Sequence, residues 1–310
     1  MTMPVLTRRS ALFAAAALPF APALMPRAAH AGAGMMGAGM SPFNRFKLGG
    51  FEVTTLLVGT RPMENPQSIC GTNAAPEDFA ALSEANFIPT DMSQTFFTPT
   101  VVNTGTELVL FDTGLDAAGI TSALAAAGYA PDQIDVVVLT HMHGDHIGGL
   151  SSEAGATFPN ARYVTGSVEQ NHWAQAGNEG FDAKVRPLED KMSFVEGGAA
   201  IASGITAMEA FGHTPGHMAY MLESDGKTLL LAVDSANHYV WSLQKPEWEV
   251  RFDMDKATAA ATRRAVFGML AADRVPFVGY HMPFPGIGYV EAMNDGFRYV
   301  PASYQMMLNG

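Results

Sequence analysis

The sequence predicts an α/β domain in which β-sheets are covered by helices. Three observations carry that reading. Short apolar runs rich in β-branched residues recur along the chain, Val136-Val137-Val138-Leu139 being the clearest. Helical patterns are interleaved among these runs instead of following them as a block. The 310 residues are 48% hydrophobic and 15% charged, the composition of a globular chain with a large core.

In chain order, a strand is predicted first over 51–58. Residues 62–99, rich in Pro, Asn and Thr, read as an irregular surface excursion. A hairpin over 100–103 and 107–111 turns at Thr104-Gly105-Thr106. The Ala-rich segment 116–127 reads as a helix closed by Gly128. The run 135–139 is continuous and apolar, as in strands buried on both faces. A strand over 162–165 precedes a helix over 167–176. Strands over 204–210, 218–223 and 228–232 come next, the last two joined at Asp225-Gly226. A helix over 256–272 takes Asp255 or Asp253 as its cap, and a strand over 275–279 comes last.

The N-terminus reads differently. Thr7-Arg8-Arg9-Ser10-Ala11-Leu12-Phe13 sets two arginines before an apolar run that ends at Leu18, and Pro19, Pro22 and Pro26 interrupt the chain beyond it. Such a run is too short to span a bilayer. It predicts a twin-arginine export signal over 1–31, with Ala29-His30-Ala31 as the small-x-small cleavage site. A flexible linker over 32–42 and a single domain over 43–310 complete the organisation. The expected location is the periplasm or outside the cell, with no stable membrane anchor. Acidic residues outnumber basic ones 30 to 18, a surface that repels nucleic acid. Cys70 is the single cysteine, which excludes an intramolecular disulfide and a cysteine-based zinc knuckle, and it reads as a buried free thiol.

The most informative stretch is His141-Met142-His143-Gly144-Asp145-His146. A core gains nothing from so many polar rings, because each one brought inside needs a partner. A divalent metal supplies that partner, and imidazole and carboxylate are ligands that zinc accepts. In an extended segment His141 and His143 point to the same side. Gly144 permits a turn, and the adjacent Asp145 and His146 cannot aim at one spot. Two neighbouring metals suit this spacing, with further ligands drawn from elsewhere. His217, Asp234 and His281 are the candidates, each at a turn or at the rim of a predicted strand.

The series His141–His146, His217, Asp234 and His281, with Phe111-Asp112-Thr113-Gly114 before it, resembles the metallo-β-lactamase fold superfamily. The resemblance covers nearly all of the chain after its signal and implies a four-layer αββα sandwich. Two further stretches, His281-Met282-Pro283-Phe284-Pro285-Gly286-Ile287-Gly288 and Gly296-Phe297-Arg298-Tyr299-Val300-Pro301, resemble the methyl parathion hydrolase group, as does Leu48-Gly49-Gly50-Phe51-Glu52-Val53-Thr54. That group contains exported dinuclear hydrolases of phosphotriesters, aryl esters and lactones, typically homodimeric. The resemblance implies two divalent ions per chain, most often zinc. His141, His143 and His217 would hold the first and Asp145, His146 and His281 the second, with Asp234 bridging. Asp112 would orient a ligand histidine from behind, and His213 would be a hydrogen-bond partner within its turn.

The expected function is hydrolysis of a small apolar ester, lactone or organophosphate triester by a hydroxide bridging the metals. Asp145 would also orient that nucleophile or shuttle a proton. Trp173, Phe96, Phe97 and Phe284 are candidate pocket walls, and His172 and His238 have no motif role. A β-lactamase-type or other amide or thioester hydrolase of the same fold is the rival. A metal-binding periplasmic protein without catalysis is the rival from another class.

Overall fold

A computed structural model of the chain describes Met35 and residues 37–309. The predicted export signal lies outside the described residues, as does the first part of the predicted linker. Ser41–Gly310 forms one compact unit. No helix among the described residues is long and apolar enough to cross a membrane.

The chain opens with strands β1 (Phe43–Leu48), β2 (Phe51–Leu56) and β3 (Gly59–Glu64), helix α1 (Pro76–Ala85), and strands β4 (Met92–Phe97), β5 (Thr100–Asn103) and β6 (Leu108–Phe111). Helix α2 (Ala117–Ala126), strand β7 (Val136–Leu139) and the single turn α3 (Gly144–Ile147) come next. After the short pair β8 (Ser151–Ser152) and β9 (Gly155–Ala156) come β10 (Arg162–Gly166), α4 (Ser167–Ala176), α5 (Glu179–Lys184) and β11 (Met192–Val195). Then come β12 (Ala200–Ala202), β13 (Ile205–Glu209), β14 (Met218–Ser224) and β15 (Lys227–Val233). The chain closes with α6 (Trp241–Gln244), α7 (Lys256–Asp273), β16 (Phe277–Gly279), β17 (Ile287–Ala292) and β18 (Phe297–Pro301).

Two seven-stranded sheets result, ordered β1-β2-β5-β6-β7-β10-β11 and β12-β13-β14-β15-β16-β17-β18. Side-chain alternation along β7 explains the layering. Val136 and Val138 face the second sheet, in a cluster with Ile205, Tyr220, Leu222, Leu229 and Leu231. Val137 and Leu139 face the other way, against Ile120 and Leu124 of α2 and Phe181 of α5. On the outer face of the second sheet, Leu230 and Phe277 pack on Val266, Phe267 and Leu270 of α7. Helix, sheet, sheet, helix is therefore the order of layers, an αββα sandwich.

Local chemistry places the helices. The Asp116 side chain accepts the Gly119 N–H at 2.8 Å and caps α2, which Gly128 closes at φ +86°. Asp255 caps α7 through the Thr258 N–H. Asp253, the other candidate cap, turns inward.

The expectation of an irregular 62–99 is corrected. β3 and β4 pair with each other as a separate two-stranded ribbon, and α1 buries Phe79 against Trp241, their rings 4.7 Å apart. The ribbon stands outside both sheets, so its residues lack the apolar alternation of a covered strand.

Candidate metal centre

The candidate ligands gather at one edge of the two sheets. β6 and β7 are parallel neighbours in the first sheet, and β15 and β16 in the second. Asp112 comes directly after β6, His141–His146 after β7, Asp234 after β15 and His281 shortly after β16. The backbone is bent for this purpose. Asp112 sits at φ +61° and Val233 at φ +49°, left-handed conformations that a β-branched residue rarely adopts. Strain of this kind, about 1–3 kcal/mol per residue, persists where the surroundings hold it, and here it turns Asp234 out of β15.

The loop after β7 is pinned from below. Thr113 donates to the His146 carbonyl from its backbone nitrogen at 2.7 Å and its hydroxyl at 2.8 Å. A Cβ on Gly149, in the turn just after α3, would lie 2.1 Å from the Thr113 carbonyl oxygen, so the close approach of this turn to the loop after β6 requires glycine. The Tyr280 hydroxyl donates to the Asp145 carbonyl at 2.6 Å, and its ring stacks on His146 at 3.9 Å.

Two donor sets converge on one carboxylate. In the first, His141 Nε2 lies 3.1 Å from His143 Nδ1, and His143 Nδ1 lies 3.0 Å from His213 Nε2. His213 Nε2 lies 3.2 Å from Asp234 Oδ2 and His141 Nε2 lies 3.9 Å from it. In the second, Asp145 Oδ2 is 3.6 Å from His146 Nε2 and 3.5 Å from His281 Nε2. Asp234 Oδ2 is 3.6 Å from His146 Nε2 and 3.1 Å from His281 Nε2. Ligand atoms on a tetrahedral zinc with bonds of about 2.0–2.2 Å stand about 3.3–3.5 Å apart, so this spacing suits such an ion in each set.

The outward nitrogens of the rings identify what faces inward. His146 Nδ1 donates to Asp112 Oδ2 at 2.8 Å, and His281 Nδ1 donates to the Phe96 carbonyl at 2.8 Å. His213 Nδ1 donates to Asp253 Oδ1 at 2.8 Å. Thr140 gives its hydroxyl proton to Asp112 at 2.8 Å and so accepts from His141 Nδ1 at 3.2 Å. Each of these four rings therefore presents an Nε2 lone pair to the centre, the arrangement found where histidines bind metal. His146 Nε2 and Asp234 Oδ1 are buried with no hydrogen-bond partner. Buried acceptors left without a hydrogen-bond donor need a cation as partner, and Asp234 Oδ2 stands 3.6 Å from that same His146 nitrogen. The residues present fit two divalent ions.

Electrostatics agree. Burial pushes the Asp234 carboxyl up, but His281 and His146 outweigh it and hold the group well below the usual carboxylate range. Burial pushes His213 down, yet the Asp234 and Asp253 carboxylates bring it up to about 9. Burial and His213 together push His143 down to about 3. The carboxylates thus draw positive charge into the middle of the cluster.

One expectation is corrected. His213, not His217, completes the first donor set. Both ring nitrogens of His217 are already used: Nδ1 donates to the Ala210 carbonyl at 2.9 Å, and Nε2 accepts the Asp234 N–H at 3.2 Å. Burial and the neighbouring His213 hold this ring neutral, its pKa down to about 3. His217 therefore braces Asp234 from behind, and the two histidines exchange their expected places. His141, His143, Asp145, His146, Asp234 and His281 do come together, and Asp112 stands behind His146 as expected.

Beside the cluster lies a cavity of about 630 Å³, with His143, Asp145, His213, Asp234 and His281 in its wall. Met63, Ile69, Phe97, Leu115 and Phe252 make its lining largely apolar. Of the four candidate pocket residues only Phe97 is there. Phe96, next to it on β4, points to the opposite face of the strand, into a second cavity beside His238 and Pro283. Trp173 is buried beneath His143, their ring centres 6.0 Å apart, and Phe284 lines neither cavity. His238 stacks on Trp241 at 3.8 Å and accepts the Val240 and Trp241 N–H groups. His172 packs against Trp173.

Sequence reasoning missed Asp253, Arg263 and Glu169. Arg263 is 1% exposed, binds Asp253 Oδ2 at 2.9 Å and so fixes the carboxylate that orients His213. By sequence Asp253 reads only as a helix cap, and nothing local ties it to a histidine 40 residues away.

Comparison with known proteins accords with this geometry. An N-acyl homoserine lactonase of a Bacillus species is 28% identical over 119 residues, 38% of this chain and 44% of that protein. Another, from Bacillus cereus, is 25% identical over 145 residues, 46% of this chain and 55% of that protein. The matched stretch thus spans about half the length of these relatives. Among solved structures, AidC, a dizinc quorum-quenching lactonase in complex with a product, superposes with a TM-score of 0.79 at 25% identity, covering 86% of this chain and 99% of that one. The hydrolase AbOPH of the beta-lactamase superfamily superposes at 0.80 with 24% identity, covering 86% and 100%. The Metallo-beta-lactamase superfamily profile matches residues 98–276, more than half of the sequence, and the chain belongs to that superfamily.

Proposed function

We propose that the protein is a dinuclear metal-dependent hydrolase of apolar esters and lactones, with phosphotriesters as further substrates. One observation carries this reading: two donor sets share Asp234 at the wall of a largely apolar cavity. The likeness to AidC and to the Bacillus lactonases supports a lactone as the favoured substrate. The motifs around His281 and Gly296 support kinship with the methyl parathion hydrolase group, and with it a homodimer. The Arg8-Arg9 motif supports export.

His141, His143, His213 and Asp234 would hold one ion, and Asp145, His146, His281 and Asp234 the other, with zinc our assignment for both. Such ions act as Lewis acids on a substrate oxygen and lower the pKa of water to near neutrality. The chain's own residues do the rest. Phe97, Leu115 and Met63 hold the apolar part of the substrate and exclude water. The Asp145 carboxylate is 24% exposed, against 2% for Asp234, and it reaches the cavity. With Oδ2 in the second donor set, its other oxygen takes a proton from the attacking water and returns it to the leaving oxygen, so that lactone and water become one hydroxy acid.

A hydrolysis panel tests the proposal. Zinc-loaded protein is expected to open acyl-homoserine lactones with kcat/KM of about 10⁴ M⁻¹s⁻¹ or more, and to cleave aryl esters and paraoxon-type triesters more slowly. Nitrocefin turnover that matches lactone turnover would favour the β-lactamase reading. Inertness of the loaded protein toward the whole panel would favour a binding protein.

A further inference from the structure

One buried carboxylate ties together the two loops that carry the first donor set. Glu169 lies in the first turn of α4 and is 0% exposed. Its Oε1 accepts the Met142 N–H at 2.9 Å and the Trp173 Nε1–H at 2.6 Å. Its Oε2 accepts the Thr214 hydroxyl at 2.7 Å and the Gly216 N–H at 2.9 Å. Met142 stands between His141 and His143, while Thr214 is the residue after His213. The two oxygens therefore serve different loops.

The packing shows that this junction is built closely. A Cβ on Gly216 would lie 2.1 Å from the Glu169 backbone nitrogen, so the His213 loop meets α4 only because glycine stands there. Trp173, four residues further on the same helix, lies edge-on to the His143 ring at 6.0 Å. Helix α4 thus holds His143 twice, through Glu169 at the adjacent backbone and through Trp173 at the ring. The second donor set has its own supports, Asp112 behind His146 and the Phe96 carbonyl behind His281. Glu169 makes no hydrogen bond to Asp145, His146 or His281.

We propose that Glu169 is a positioning residue for the first metal site alone, setting the separation of His141 and His143 from His213 and hence that site's affinity. This rests on the dinuclear reading above. Glutamine at position 169 keeps the shape but turns one acceptor into a donor, so either the Met142 and Trp173 pair or the Thr214 and Gly216 pair meets an N–H head-on. Loss of such an outer partner lowers metal affinity about 10–100-fold.

The test is chelator-competition titration of the full chain with Co²⁺, read by visible absorption, for wild type and Glu169→Gln. His213→Ala and His281→Ala supply the spectra of protein lacking one site or the other. Glu169→Gln is expected to bind one ion as wild type does and the other about 10–100-fold more weakly, the missing bands being those lost in His213→Ala. Equal weakening of both sites, or none, overturns the proposal. Should Glu169→Gln fail to fold, Thr214→Val and Trp173→Phe each remove one donor. A severalfold loss confined to the first site supports the proposal, and its absence from both variants overturns it. A wild type that binds no Co²⁺ defeats the dinuclear reading itself, whereas two ions bound alike in wild type and Glu169→Gln defeat only the role of Glu169.

Discussion

Replacing His213 with alanine is expected to leave one bound metal per chain and to cut lactone turnover by at least about 100-fold, beyond the 10–100-fold typical of residues outside a metal's direct contacts. Replacing His217 is expected to do something different. Its ring nitrogens are spent on the Ala210 carbonyl and the Asp234 N–H, so His217→Ala removes no donor atom from the centre. That variant should still take up two ions at saturating metal. It should unfold more easily, by about 2–4 kcal/mol, because a fully buried ring and two hydrogen bonds are lost together. Elemental analysis and denaturant melts of the two variants, side by side, check the contrast. One ion in His217→Ala and two in His213→Ala would reverse the assignment.

Asp234→Ala is expected to be the most damaging single change. Its Oδ2 lies within 3.9 Å of ring nitrogens on His141, His146, His213 and His281, so both donor sets lose a member at once. It is also the anion that draws His213 and His281 upward. Without it, metal content should fall from two ions to one or fewer, and turnover by about 10³-fold or more, several kcal/mol of transition-state stabilisation. Asp234→Asn should resemble alanine in activity while folding better, since the amide keeps the shape but not the charge. Wild-type turnover in Asp234→Ala would remove the shared carboxylate from the account.

Much of the sandwich is legible in the sequence alone. β7 is a continuous apolar run because it is covered on both faces, α2 announces itself by its alanines and the closing Gly128, and α7 by a capping aspartate. The ligand motif after β7 is legible because no core would gather those side chains. What stays hidden depends on contacts distant in sequence. Gly212-His213-Thr214-Pro215-Gly216-His217 offers two histidines in nearly identical settings. Only Asp253 behind one and the Asp234 N–H above the other distinguish them. The β3–β4 ribbon escapes sequence reasoning because a strand outside the sheets needs no apolar face. Phe96 is misplaced by it, although alternation alone forces that ring away from Phe97. Trp173 reads as a binding aromatic by composition, yet its indole N–H belongs to Glu169.

The most direct test is the metal content of the purified chain, measured by elemental analysis after dialysis against metal-free buffer. Two divalent ions per chain, removable by chelator with loss of turnover and restored together with it, are the result expected. One ion per chain with full turnover, or full turnover with none, would contradict the dinuclear centre.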